Sequence, residues 1–543
     1  MKPTYLTYTF ALLLAAICLP LIAFAPGTVR AQDAPSTATD WWTGDVFYEV
    51  FVRSFYDSDG DGIGDIPGLT ERLDYLNDGD PTGGDDLGVT ALWLMPITEA
   101  TSYHGYDVID YYSVESDYGT NEDFRAFIDA AHARGMRVII DLVLNHSGVQ
   151  HPWFQASRDP ESEYAGWYTW SDENPNFRGP DGQQVWHPLD GRFYYGVFWS
   201  GMPDLNYTNP AVTAEIYEIT RFWLEDMNVD GFRLDAIKYM IEEGAAQENT
   251  SSTHQWWRDY HAYVQSVKPD ALLLGEVWDS TSLVAPYVGD EVDIAFEFDL
   301  AGEMVRTASF GLPSPFMNAQ TTTLQYFGPG EYAAFLTNHD MDRVIGTLRG
   351  DFGAARVAAA LLLTNPGVPF IYYGEEIGMS GRKPDERIRT PLRWDNTSTG
   401  DFTSGTPWEA FSEDPPGTNI LDQLAETDSL LNAYRGLIDA RLSIPALQTG
   451  ALTFVDSDES KVMAYLRYTD DQTVLVMINM DDRPVTEYML TLAAGPLADV
   501  RDVALLYGDG DGAAPEINAA GGFDAWTPID DLPAFGIWVI ELR

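Results

Sequence analysis

Three carboxylates, each closing a short apolar run, are the residues of this sequence best placed to do chemistry together. In Gly231-Phe232-Arg233-Leu234-Asp235 apolar and charged residues alternate, so on a strand Arg233 and Asp235 point the same way. The arginine keeps that aspartate ionised at neutral pH, and an ionised, positioned carboxylate can act as a nucleophile. Alone, an Arg-x-Asp pair is more often a structural salt bridge, so its company decides. Glu276 follows the apolar run LLLG and is flanked by Val277 and Trp278, a setting that lifts a carboxyl's pKa and suits a proton donor. Asp340 ends AAFLTNHD. A nucleophile and a donor about 5–5.5 Å apart across a glycosidic bond are what retaining glycoside hydrolysis requires, and here one carboxylate is left over. His104, His146 and His339, three of eight histidines, can bind sugar hydroxyls in the same pocket.

Something must bring these residues together. Apolar runs at residues 46–55, 89–97, 136–146, 231–235, 272–278, 293–300, 333–340 and 367–379 alternate with helix-like segments. Eight such units predict an α/β fold, a (β/α)8 TIM barrel whose chemistry sits at the C-terminal strand ends. A doubly wound sheet is the alternative, but polar residues gather at one strand end after another. Residues 41–146 and 207–449 read as the two parts of the barrel, and 147–206 as an irregular insert after strand three. Short strands with Asp, Gly and Pro turns over 450–543 read as a C-terminal antiparallel β-sandwich.

Residues 1–31 read as a signal peptide: Lys2, an apolar run over 10–25, and a cleavage site after Ala31. That implies a secreted protein, extracellular or periplasmic, with a retained anchor as the lesser reading. Cys18 is the only cysteine, so the remainder can hold neither disulfides nor zinc–thiolate sites. Formal net charge is −53, which opposes nucleic acid and anionic membranes as partners. Five lysines among 31 basic residues suggest salt adaptation, an expectation that loss of activity in molar salt would sink.

The loop DSDGDGIGD carries Asp57, Asp59, Asp61 and Asp65 around the backbone of Ile63. Alternating carboxylates with glycines at the bends suit a hard cation, Ca2+ above all.

Together the short motifs DLVLNH, GFRLDAIKY, GEVW and FLTNHD, preceded by HGYD at 104–107, resemble glycoside hydrolase family 13, the α-amylase family, in its order and over nearly the whole chain. MPDLN at 202–206 resembles its intermediary group between oligo-1,6-glucosidases and neopullulanases. The resemblance implies Asp235 as nucleophile, Glu276 as general acid/base and Asp340 as stabiliser of the transition state. It implies that His104, Tyr106, Asp107, Asp141, His146, Arg233, Lys238, His339, Arg343 and Arg389 bind the sugar or orient the acids. The insert matches the family's domain B. Calcium is implied at 57–65; Tyr239 stands where many α-amylases have a histidine, which leaves a second calcium between barrel and domain B open. The expectation is a monomeric α-amylase acting on α-glucans or malto-oligosaccharides. The alternatives are an α-glucosidase, oligo-1,6-glucosidase or transglucosylase, and, from another class, a non-catalytic sugar-binding relative.

Overall fold

The computed structural model describes residues 40–80 and 84–543; the expected signal peptide lies outside them. Eight parallel strands form the barrel: β1 (Phe47–Val50), β2 (Ala91–Leu94), β3 (Arg137–Leu142), β4 (Gly231–Leu234), β5 (Leu272–Gly275), β6 (Ile294–Ala295), β7 (Ala333–Phe335) and β8 (Val368–Tyr372). Each pairs with its sequence neighbour and β1 pairs with β8. A parallel bridge between Phe296 and Ala333 closes the last gap, between β6 and β7.

Strand alternation explains both the core and the site. One set of alternate positions, including Phe47, Ala91, Trp93, Ile139, Leu272, Leu274, Phe296 and Phe370, packs into a single apolar cluster inside the barrel. Two residues further along the same faces stand Glu49, Asp141, Arg233 and Glu276. The interior is therefore oily below and ionic at the mouth.

Several elements depart from expectation. The run at 46–55 is a strand only to Val50 and then turns through a 3-10 segment, Val52–Ser54. The run at 293–300 gives a two-residue strand followed by helix α1 (Phe298–Phe310). There Leu300, Ala301, Met304, Val305 and Ala308 are buried at helical spacing, and that period overrides the strand-like start. Helix α2 (Phe352–Thr364), helical as expected, is buried along most of its length.

The C-terminal strands are β9 (Ala451–Ser457), β10 (Val462–Tyr468), β11 (Thr473–Asn479), β12 (Leu490–Leu492), β13 (Val503–Tyr507), β14 (Phe523–Trp526) and β15 (Ile537–Leu542). They form one antiparallel sheet in the order β13-β15-β11-β10-β9-β12-β14. Its wings share a core that includes Leu466, Leu475, Leu490, Phe523 and Ile540. The alternate residues Met463, Tyr465, Val474, Val476, Ile478 and Val539 belong instead to the large core that contains the outer barrel. Among the described residues no helix is long and apolar enough to cross a membrane.

Candidate active site

Arg233 is the hub. Parallel register sets it between Asp141 on β3 and Leu274 on β5, and its side chain has no exposure. Its Nη1 donates to Asp141 at 2.8 and 2.9 Å and to Asp235 Oδ1 at 2.8 Å; its Nη2 lies 2.9 Å from Glu276 Oε2. One guanidinium thus ties Asp235 and Glu276 together. Directly after Asp235 the chain enters the left-handed region at Ala236 (φ 51°), and the Ala236 N–H donates to Glu276 Oε2 at 3.0 Å. A non-glycine residue there is uncommon, and this turn aims a backbone donor at the second carboxylate.

The three carboxyls sit in different fields. Burial raises Asp235 and Glu276 above the usual carboxylate range, with Arg233 opposing and the neighbouring carboxylates adding to the rise. For Asp340 burial works in the same direction, but the charges of His339, Arg389 and Arg233 outweigh it and hold this group well below that range. The arrangement is one firmly anionic carboxylate, Asp340, beside two that retain protons more readily, and of those two only Asp235 accepts a hydrogen bond from the Arg233 guanidinium.

His339 donates from Nδ1 to Glu49 Oε1 at 2.6 Å, and its Nε2 lies 3.1 Å from Asp340 Oδ2 and 2.6 Å from the Tyr106 hydroxyl. Burial would lower its pKa, but Asp340 and Glu49 push it up to about 9. The Tyr106 ring lies parallel to His339 and its hydroxyl donates to Asp141 Oδ2 at 3.0 Å. Arg389 reaches Asp340 Oδ1 (2.8 Å), Asp385 Oδ2 (3.2 Å) and the His339 carbonyl (2.9 Å). His146 is pushed down to about 4 by burial and is neutral beside the Tyr106 carbonyl.

These groups border a cavity of about 600 Å³. Of the residues expected from the sequence, His104, Tyr106, His146, Asp235, Lys238, Glu276, Asp340 and Arg389 line it. Asp141, Arg233 and His339 do not; at 0–1% exposure they form the ionic floor and orient what lies above. Asp107 and Arg343, also expected there, are not among the lining residues. Asp107 is buried and turned back onto Ser102, accepting from its backbone N–H and hydroxyl. Arg343 is wholly buried, donates to the Ile388 and Tyr373 carbonyls, and lies over the Tyr372 and Tyr373 rings. Both hold loops.

Other lining residues escaped sequence reasoning: Asp181 and Phe198 from the insert, Trp278 beside the donor, and Asp385. Asp385 stands four residues before Arg389, a spacing that offered a signal. Glu49, which bonds His339 from behind, is a lone charge within a buried strand and therefore needed a partner.

In the loop after β1, Asp57, Asp59 and Asp61 bring one carboxylate oxygen each within 4.8 Å of one another. Asp65 does not join them: its carboxylate caps the helix Ile66–Glu71 through the Gly68 N–H and also accepts from the Ser58 N–H. Ile63 donates its N–H to Asp61 Oδ1. Where the insert meets the barrel, Asp204 is 4% exposed and its Oδ2 has no hydrogen-bond partner. Asn145 stands beside Asp204, whose other oxygen accepts from the Val197 N–H, and the nearby Glu242 is pushed up by burial to about 7.

Comparison with known proteins agrees with this geometry. The α-amylase catalytic domain family matches residues 49–450, and the chain belongs to it; it is an enzyme of the α-amylase-type glycoside hydrolases. α-Amylase 3 of Dictyoglomus thermophilum is 38% identical over 448 residues, 81% of this chain and 85% of that protein. Trehalose synthase/amylase of Mycolicibacterium smegmatis is 34% identical over 493 residues, 79% of this chain and 81% of that one. The crystal structure of α-amylase from H. orenii superposes with a TM-score of 0.79 at 41% identity, covering 92% of this chain and 99% of the other.

Proposed function

We propose that this protein is a secreted, retaining α-amylase that cuts internal α-1,4 bonds of starch-type glucans. Glu276 protonates the glycosidic oxygen while the Asp235 carboxylate attacks C1, so the C1–oxygen bond breaks and a glucosyl ester forms. Glu276, now ionised, takes a proton from water, whose oxygen displaces Asp235 and restores the α configuration. Asp340, held anionic, stabilises positive charge on the sugar ring between the two steps. The observation that carries this reading is the single buried guanidinium joining nucleophile and acid.

Endo-action is supported by where Asp107 and Arg389 go. A clamp of these two would close the pocket on a terminal sugar, but each is held by other partners. The same cavity is also lined by Lys238, Tyr239, Phe198 and Trp278, groups suited to further sugar units. The relatives also include an oligo-1,6-glucosidase of Halalkalibacterium halodurans, 29% identical, which keeps exo-action on short chains as the second reading. Timed chromatograms from amylose and isomaltose separate the two. Early mixed oligosaccharides from amylose support the amylase; early glucose from isomaltose overturns it.

Because burial raises Glu276, its acid form should persist above the usual glutamate range and set the alkaline limb of kcat/KM. Glu276→Gln should lower kcat roughly 10²- to 10⁴-fold on starch and abolish that limb. A nitrophenyl maltoside, whose leaving group needs little protonation, should suffer much less in the glycosylation step. Equal losses on both substrates would remove Glu276 from the donor role.

Calcium belongs to the same proposal. Three convergent carboxylates repel one another unless a cation sits among them, and Asp57, Asp59 and Asp61 offer the hard oxygens Ca2+ takes. The unpartnered Asp204 oxygen beside Glu242 and Asn145 fits a second calcium. Chelation should lower the unfolding temperature by several degrees, and Ca2+ should restore it better than Mg2+. In Asp57→Asn the part of this response owed to the first site should vanish; a response identical to the parent's would rule that site out.

A further inference from the structure

His339 has only acceptors around its ring. On one side is the Glu49 carboxylate, 2.6 Å from Nδ1. On the other are the Asp340 carboxylate and the Tyr106 hydroxyl, whose own proton is committed to Asp141. A neutral imidazole carries one N–H and would leave one nitrogen lone pair facing a carboxylate or a hydroxyl oxygen. Only the doubly protonated ring satisfies both sides. His339 and Glu49 are 0% and 2% exposed, so bulk solvent reaches neither side of the ring.

We propose that Glu49 is a positioning residue of the reaction, which keeps His339 an imidazolium and thereby fixes Asp340 and Tyr106 at the wall of the sugar site. This rests on the catalytic reading of Asp340 above and extends it one residue outward, to the first barrel strand. Asp340 and Asp141 also face the histidine, Asp235 bears on it electrostatically, and the Arg389 guanidinium bonds its carbonyl. Glu49 is the only carboxylate among its hydrogen-bond partners that does not line the cavity, so its effect on His339 does not depend on what the cavity holds. It also explains a charge in the buried strand Phe47–Val50, which register sets against Trp93 and Tyr372.

The chemical consequence is a switch in what Asp340 meets. With Glu49 present, Asp340 and Glu49 push His339 up to about 9, so the charged ring donates to Asp340 at neutral pH. Without it, the buried ring should lose its second proton nearer neutrality, and the hydrogen bond to Asp340 becomes neutral-to-anion or is lost. Asp340 acts on charge that develops as the bond breaks, so the cost should fall on kcat more than on KM.

The test is Glu49→Gln, assayed on maltoheptaose from pH 4 to 10 beside the parent enzyme. The expected result is a roughly tenfold lower kcat at pH 8, with KM changed far less, and a deficit that grows through neutrality as His339 gives up its proton in addition to the Glu276 ionisation. Below about pH 6 the ring protonates without help and the deficit should shrink. A loss of the same size at every pH, or a profile superimposable on the parent's, overturns the proposal. In a His339→Gln background the Glu49→Gln change should add little, since it acts through the histidine; full additivity overturns it as well. Should the Gln variant fail to fold, histidine C2–H resonances of the parent carry the same test. A resonance missing from His339→Gln that titrates well above 7 supports the proposal, and one titrating at or below the free-histidine value overturns it. Failure here with Asp340→Asn still inactive would leave the catalytic reading standing and remove only Glu49.

Discussion

Asp235→Asn should turn over starch at least about 10⁴-fold more slowly than the parent while its unfolding temperature stays within a few degrees. The amide has the shape of the carboxylate but no charge with which to attack C1. The fold should tolerate it because Arg233 keeps Asp141 and Glu276 when Asp235 is neutralised. Asp235→Gly adds a positive signature. It empties the space below C1, and azide entering there should restore turnover on an activated maltoside, releasing a glycosyl azide of inverted configuration. Near-normal turnover by the Asn variant, or azide with no effect on the Gly variant, would take Asp235 out of the nucleophile's role.

The second large effect is expected at Arg233. Replacing it by Met removes the cation shared by Asp141, Asp235 and Glu276, all buried. Breaking a buried pair by deleting one partner typically costs about 3–5 kcal/mol, and here three anions lose the same partner. They respond by holding protons more tightly, so their folded-state pKa values rise further above the unfolded ones. A carboxyl whose folded pKa is raised makes the native state bind more protons, so stability falls as pH climbs from about 4 through the raised values. Arg233→Met should therefore be least crippled near pH 4–5 and lose stability steeply towards pH 8, with kcat down by orders of magnitude. Arg233→Lys should fall between, since one ammonium cannot span three carboxylates. Thermal unfolding followed across pH decides this; a flat difference from the parent would mean that the carboxylates have another neutralising partner.

The sites of chemistry were legible because they combine residue type with strand position. Asp235, Glu276 and Asp340 each follow an apolar run that could hardly be anything but a barrel strand. What was not legible is which way a polar side chain turns once it leaves the strand. Asp107 sits one residue from Tyr106, yet one turns into the cavity and the other back onto Ser102. Asp65 reads as one more ligand in an acidic run, and the fold also gives its carboxylate a second task, capping the helix that begins at Ile66. Arg343 and Arg389 look alike in sequence; only the fold puts carbonyls around the first and carboxylates around the second. The brief sixth strand was overread for another reason: two periods, 2 and 3.6, coincide in DIAFEFDL until the helix is long enough to show itself.

The family's match ends at residue 450, but the molecule offers no seam there. Tyr465 bonds Thr364 on α2, while Arg467 donates to the Thr364 carbonyl from inside the C-terminal sheet. Alternate residues of β10 and β11 belong to the outer core on one side and to the sandwich on the other. A catalytic fragment trimmed at the family boundary would be an enzyme with its back peeled off, sticky along α2 and missing a partner for each detached carbonyl. For anyone recombining parts among these relatives, the C-terminal sheet is therefore inherited with the barrel or not at all.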